Sequence, residues 1–286
     1  MADAATSFIS ACPVGCNAAL VPTTIVLPEG PLRRCEACGQ LVSAIGEEAY
    51  RRSMQHFDDA EFNLPAPREL ERRFRLARRR LDTISALLGR APAAIRVLDV
   101  GCSRGAFLAA GTRLGFQMEG VEPAASIAAA ARKEGHKVHS GELADAGLAA
   151  GSFDAITLFE VIEHLKEPLA LLRECHRVLK PDGVIALTTG NAASWTAVAM
   201  CERWDYFHIA QDAGHVSFFN PRSLELLAAR AGFRPERLDT ARVRFFERGD
   251  VTRWRYLAGK LCAELLDLPA RIAGRGHDML AFWRRA

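Results

Sequence analysis

From residue 94 onward the chain alternates between two hydrophobic periods. Short runs of aliphatic and β-branched residues occur at 95–100, 118–121, 153–159 and 184–189, with a weaker run at 137–139. Between and after them, at 105–114, 124–134, 168–179 and 221–231, the pattern reads as helical. Alternating strands and helices predict a mostly parallel sheet covered by helices on both faces. Pro168 suits the first turn of its helix, and Pro181-Asp182-Gly183 predicts a turn feeding the strand at 184–189. A sixth strand is expected at 235–240 and a last one at 277–283, separated by an insertion over 242–276.

Ahead of this lies a strong helix over 68–88, with Leu70, Phe74, Ala77, Leu81, Ile84 and Leu88 on one stripe and Gly89 as its stop. Its other face carries Arg72, Arg73, Arg75, Arg78, Arg79 and Arg80 and reads as solvated, since no aromatics interleave with the charges as they do in many nucleic-acid surfaces. A polar, proline-marked stretch at 55–67 separates this helix from the first fifty residues. There, Cys12 and Cys16, then Cys35 and Cys38, flank a β-rich run at 21–27 and a turn at 28–31. Two short-spaced thiol pairs around a hairpin have the layout of a tetrahedral zinc site. The expected organisation is a zinc-ribbon-like module at 1–50, a linker and helix at 51–93, and an α/β domain at 94–286. The first pair departs from the ribbon pattern by having three intervening residues, and four unrelated buried cysteines remain the alternative.

Composition narrows the classes. Hydrophobic residues make up 49% of the 286, charged residues 25%, and the net charge is +3, an ordinary globular balance with no field directed at nucleic acid. The N-terminus lacks a basic segment followed by an apolar run, and no stretch approaches the roughly 18 apolar residues of a membrane span. A cytoplasmic enzyme with reduced thiols is the expectation.

The sharpest local signal is a buried strand ending in Asp99, then Gly101 and Gly105, then a helix. Ligands of open α/β sheets bind beyond the carboxyl ends of the strands, and glycines there admit a close backbone approach. The spacing is not that of a dinucleotide fingerprint, and Asp99 would repel a phosphate. An acidic residue suits a ligand carrying an ammonium and a sulfonium. The second strand ends in Glu122, placed to accept ribose hydroxyls. This combination resembles the signature of the class I S-adenosylmethionine-dependent methyltransferases. The resemblance continues in order through Gly141-Glu142-Leu143, the run from Phe153 to Leu165, and Arg177 to Gly183. It ends with His215-Val216-Ser217-Phe218-Phe219-Asn220 and Ala231-Gly232-Phe233, in the branch that includes the ubiquinone-biosynthesis O-methyltransferases.

The resemblance implies a Rossmann-like fold with a mostly parallel seven-stranded sheet. It implies S-adenosylmethionine held by Asp99, Gly101, Cys102 and Gly105 at the methionine end and by Glu122 and Pro123 at the ribose. Glu142 and Leu143 would meet the adenine edge, and Phe159 or Glu160 the sulfonium side. Cys102 contributes backbone and packing rather than redox chemistry. A related Glu-x-x-Glu-His run is thought to bind a divalent cation in the quinone enzymes, and Glu160, Glu163 and His164 match it. A hydroxyl acceptor needs a base near the donor methyl, for which His215, Glu160 and His164 are the candidates. The aromatics Trp195, Trp204, Tyr206 and Phe207 in the long connection 190–220 are read as substrate wall or core.

Within the insertion, Trp254, Leu257, Leu261, Leu265 and Leu268 recur at helical spacing beside Arg253, Arg255, Lys260 and Arg271. Such a helix either packs on its own domain, as lid or dimer contact, or lies at a membrane interface through 251–272. The expected acceptor is a small molecule, glycan or lipid-linked intermediate, the expected zinc is structural, and the chain is a monomer or homodimer. Two other readings stay open: a protein or nucleic-acid methyltransferase that recognises its target through the ribbon, and a non-catalytic binding protein on the same fold.

Overall fold

The computed structural model describes residues 7–55, 67–208, 214–246 and 251–286. Its larger sheet has seven strands: β4 (Arg96–Val100), β5 (Gln117–Glu122), β6 (Val138–Ser140), β7 (Phe153–Phe159), β8 (Leu179–Gly190), β10 (Phe233–Ala241) and β11 (Asp278–Arg285). They lie in the order β10-β11-β8-β7-β4-β5-β6. β4, β5, β6, β7 and β8 pair in parallel, and β11 runs antiparallel to both β8 and β10. The order reverses at β4, so the crevice beyond its carboxyl end is where a ligand belongs.

Alternation along the strands explains the layers. Leu98, Ile156, Ile185 and Leu187 face one side, packing with Leu172 and Cys175 of α5 (Pro168–Val178) and with Leu224 and Leu227 of α7 (Pro221–Arg230). Val97, Ala155, Val184 and Ala186 face the other, against Leu81 and Ile84 of α2 (Pro67–Leu88). Period-two side-chain placement buries both faces, as a parallel sheet requires. α3 (Ala106–Arg113) and α4 (Ala125–Lys133) complete the β-α-β units around β4, β5 and β6.

Two expectations are corrected here. Pro181-Asp182-Gly183 does not precede the strand. It is a kink inside β8, where pairing with β7 jumps from Leu179 to Val184 and Asp182 takes a left-handed φ of 59°. The helix stripe is also shorter than its periodicity. Ala77, Leu81 and Ile84 are buried, whereas Leu70 is 48% exposed and lies with Phe74 at the rim of a cavity.

The first fifty residues form a hairpin of β1 (Leu20–Leu27) and β2 (Gly30–Cys35), extended by β3 (Leu41–Val42). The fourth strand of this small sheet is β9 (Ser217–Phe218), supplied by the long connection that follows β8. Leu32, Val42 and Ile45 share one cluster with Met200, Trp204, Phe207 and Phe218. The two regions therefore share an apolar core as well as a sheet. α1 (Glu47–Met54) runs across position 50, and the linker stretch beyond it, 56–66, lies outside the described residues. α6 (Trp195–Met200) begins the connection after β8, and α8 (Arg253–Ile272) fills the insertion between β10 and β11. No helix among the described residues is long and apolar enough to cross a membrane.

Candidate active site and thiolate cluster

Asp99, next to the last residue of β4, is a buried carboxyl that accepts a hydrogen bond from Thr157 Oγ1 at 2.6 Å. Burial pushes its pKa up to about 7; the Thr157 hydrogen bond and the Arg80 charge work against that rise. A carboxyl poised in this way ionises fully when a cation arrives beside it.

The loop after Asp99 folds over the end of β5. The amides of Gly101 and Cys102 both donate to Val121 O, at 2.9 and 3.1 Å. Gly101 holds a φ of +76°, and a Cβ there would stand 2.8 Å from Val161 Cγ2. Gly105 caps α3 at a φ of +86°, and its Cβ would strike the His136 ring at 2.5 Å. Only glycine fits either position without strain. Cys102 turns inward and packs with Leu108, Ala128 and Val138, as a small core residue. Glu122, at the end of β5, accepts from the amides of Ser103 (2.8 Å) and Ala124 (3.0 Å). It therefore shapes the glycine loop.

A cavity of about 1190 Å³ opens over these strand ends. That exceeds the usual range for a single small ligand and leaves room for a cofactor and an acceptor together. Asp99, Gly101, Cys102, Gly105, Phe159 and Glu160 line it. Glu122, Pro123, Glu142, Leu143, His164 and His215 are not part of this lining. Leu143 is buried in the core, and Glu142 and Pro123 are exposed.

Arg72, Arg73, Arg75 and Arg80 of the α2 face read as solvated enter the lining, as does Tyr206, read as substrate wall or core. Arg80 belongs to the arginine-rich face of α2, yet its guanidinium lies over the Phe159 ring, 4.1 Å from the centroid. It makes no hydrogen bond or ion pair among the described residues. Its position one residue before Leu81, at the edge of the buried stripe, is the signal that separates it from Arg78 and Arg79. Tyr206 donates its hydroxyl to Glu160 and also faces the cavity. Burial, then the Glu160 and Glu163 charges, hold the Tyr206 phenol well above the usual range. Of Trp195, Trp204, Tyr206 and Phe207, only Tyr206 faces the cavity. Trp204 and Phe207 are core, and Trp195 packs against Val243 and Ala263.

Behind Tyr206 stands a second group of side chains. The His215 ring stacks on Tyr206 (centroids 5.0 Å, 20°) and meets His164 at 4.6 Å. His215 Nδ1 lies 3.1 Å from Tyr206 O; a carbonyl can only accept, so Nδ1 is the donor. Ligand atoms of Glu163, His164 and His215 fall within 4.8 Å of one another. Glu163 is fully buried with neither oxygen hydrogen-bonded, and burial, then the Glu160 charge, raises its pKa well above the carboxylate range. The fold gathers Glu163 and His164 with His215 rather than with Glu160, the first residue of the run that resembles the quinone enzymes' cation motif. Glu160, at a left-handed φ of 56°, points to Tyr206, and His215 takes its place.

The four N-terminal cysteines are all buried, with their sulfur atoms within 4.8 Å. Cys12 Sγ and Cys38 Sγ are 3.7 Å apart, close to the roughly 3.8 Å that Zn–S bonds of about 2.3 Å impose in a tetrahedron. Each pair is closed by a backbone turn, Gly15 N to Cys12 O at 2.8 Å and Gly39 N to Cys35 O at 2.9 Å. The Cys38 thiol, by hydrogen bonding, lowers Cys12 to about 5, favouring a thiolate. Arg230 of α7 adds a positive charge, donating to Cys16 Sγ at 3.2 Å and Val14 O at 2.8 Å.

Comparison with known proteins agrees with this geometry. A family described as Methyltransferase domain matches residues 70–238, more than half of the chain. The ubiquinone biosynthesis O-methyltransferase of Xanthomonas axonopodis pv. citri (strain 306) is 40% identical over 121 residues, 39% of this chain and 49% of that protein. Its counterpart from Xanthomonas oryzae pv. oryzae (strain PXO99A) is 42% identical over 123 residues, with the same shares covered. The chain spans about half the length of the curated relatives it matches. Among solved structures, a SAM dependent methyltransferase from Archaeoglobus fulgidus has a TM-score of 0.54 at 18% identity, covering 75% of this chain and 94% of that one. One from Mesorhizobium loti has a TM-score of 0.51 at 20% identity, covering 71% and 96%. At these identities the two structures show a shared fold.

Proposed function

Because the chain belongs to the methyltransferase domain family, we propose that it transfers the methyl group of S-adenosylmethionine to a hydroxyl of a small molecule, glycan or lipid-linked acceptor. The observation that carries the reading is Asp99: a buried carboxyl at the switch point, held beside a glycine loop inside a cavity large enough for two ligands. An ammonium is the ligand group that such a carboxyl accepts.

In this reading the cofactor supplies an activated methyl on a sulfonium. The chain's residues do the rest. Gly101 and Gly105 let the backbone close on the methionine end, and Arg80, lacking a partner in the cavity, takes the carboxylate there. Glu122, at the end of β5, is assigned to the ribose with Pro123 beside it, and Glu142 and Leu143 to the adenine, on the side of the cofactor beyond the lined cavity. Phe159 forms the wall at the reacting centre. Glu160, the one of the three candidate bases that lines the cavity, would take the proton of the acceptor hydroxyl as it is methylated. Positioning supplies much of the acceleration in such a displacement, and proton removal a further factor. His215 and His164 act through Tyr206, keeping the phenol against Glu160. A divalent cation taken by Glu163, His164 and His215 would satisfy the unpaired Glu163 carboxyl and stiffen the same support.

The four-thiolate cluster fits structural zinc, since four protein ligands leave no open coordination position. The test is direct. Purified protein incubated with S-adenosylmethionine carrying a labelled methyl and a panel of phenols and prenylated or sugar-linked alcohols should label at least one acceptor. Tight binding of S-adenosylhomocysteine with no labelled acceptor from any class would favour a binding role instead.

A further inference from the structure

The insertion helix α8 has three distinct sides. One side packs: Ala263 and Ala270 are buried and Tyr256, Gly259 and Leu266 partly so, at intervals of three and four, against Val243 and Trp195. On the opposite side Trp254, Leu257, Leu261, Leu265, Leu268 and Ile272 are exposed, from 53% at Leu257 to 80% at Ile272. The packed side is therefore not the leucine side. A lid closing on its own domain through these leucines is excluded in this arrangement, because the contact with the domain is made by the small residues.

A stripe of this kind over about 30 Å of helix is uncommon on a monomer facing water alone. Its breadth points to the occupant. Ala258, Cys262 and Pro269 are exposed beside the leucines, so at 100° per residue the apolar arc spans roughly 140°. A seam between two helices is narrower, with charges along both edges. Here one edge carries Arg253, Lys260, Glu264, Asp267 and Arg271, and the other only Arg255 among small residues. Lys260 and Arg271 have Glu264 and Asp267 within reach, at 3.8 and 3.9 Å. Arg253 and Arg255 flank Trp254 with no carboxylate partner among the described residues. A broad apolar arc, a tryptophan at one end and unneutralised arginines beside it match a helix lying in the headgroup layer of an anionic bilayer.

We propose that α8 docks the protein on an anionic lipid surface, with Leu261 and Leu265 at the centre of the contact and Arg253 and Arg255 against lipid phosphates. The contact is independent of methyl transfer and of the acceptor's identity. It is tested with the full chain by flotation on vesicles of phosphatidylcholine, with and without phosphatidylglycerol, and by light scattering of the same protein without lipid. The expected result is binding at least tenfold stronger to the anionic vesicles and weakened by salt. Leu261→Glu with Leu265→Glu should abolish it while leaving the unfolding midpoint and S-adenosylhomocysteine binding unchanged, since both side chains are exposed. Absence of vesicle binding would overturn the proposal, as would binding that the double variant retains. A dimer that the double variant splits, without vesicle binding, would overturn it in favour of a second copy.

Discussion

Tyr206 donates its phenolic hydrogen to the carboxylate of Glu160, joining the long connection after β8 to the exit of β7 at the wall of the cavity. The bond links the module at the N-terminus to the cavity by a short route. His215 stacks on Tyr206, and two residues later β9 pairs with β3 of the small sheet.

This pairing predicts a division of roles. Glu160→Gln should lower kcat by roughly 10²–10³-fold, the scale of losing a general base, with S-adenosylmethionine affinity changed far less. Tyr206→Phe keeps the ring against His215 and removes only the hydroxyl, so a loss of about tenfold is expected. Steady-state kinetics with a labelled methyl donor separate kcat from KM. A loss that appears in KM alone would place both residues in binding rather than chemistry.

Asp99 gives a pH signature. Its pKa stands near 7 in the folded protein and 3.8 is its ordinary value. A raised carboxyl pKa contributes stability that is fully present below the ordinary value and is lost as pH rises to the folded one. Ligand affinity runs the other way, because an ammonium needs the carboxylate. S-adenosylmethionine binding should weaken as pH falls below about 7 while the unliganded protein becomes more stable through this group. Asp99→Asn should flatten both trends, raise the unliganded unfolding midpoint at pH 8, and weaken cofactor binding by roughly 10–100-fold. Calorimetry and thermal unfolding across pH 5–8 check the two signs separately.

Gly105→Ala should cost about 2 kcal/mol or more, from a left-handed φ of +86° and a Cβ placed against the His136 ring. Denaturant unfolding measures it. Pairing with His136→Ala should recover the part due to the collision and leave the part due to φ.

The thiolate cluster couples folding to metal. Chelation at neutral pH, or Cys38→Ser, should lower the unfolding midpoint by on the order of 10 °C and expose tryptophan, since Trp204 is in the core shared with the small sheet. Metal analysis of the purified protein should return one zinc per chain. Full stability with all four thiols titratable and no metal would mean that the cysteines are packing residues.

What was legible in the sequence was local. Asp99, Gly101 and Gly105 lie within seven residues, so strand, turn and helix signals coincide with the chemistry, and the helices at α5 and α7 announce themselves through Pro168 and Pro221 at their first turns. The cysteine pairs are also local and carry their own spacing rule. Features made by tertiary contact were not readable. Arg80 differs from its neighbours only by rotation about the α2 axis. Tyr206 reaches Glu160 across 46 residues of chain, and β9 is a two-residue strand whose partner lies in the first fifty residues. Periodicity identified α8 as amphipathic, but which side the domain covers depends on where β10 and β11 deliver the helix. There the small residues, not the leucines, face inward.

The central claim is that Asp99 and its glycine loop bind S-adenosylmethionine. Calorimetric titration of the full chain with S-adenosylmethionine, S-adenosylhomocysteine and NAD tests it most directly, with Asp99→Ala beside the natural protein. The account predicts micromolar binding of both sulfur ligands, no heat from NAD, and a loss of roughly 10–100-fold in the variant. Equal affinity in the variant, or silence from both sulfur ligands, would contradict it.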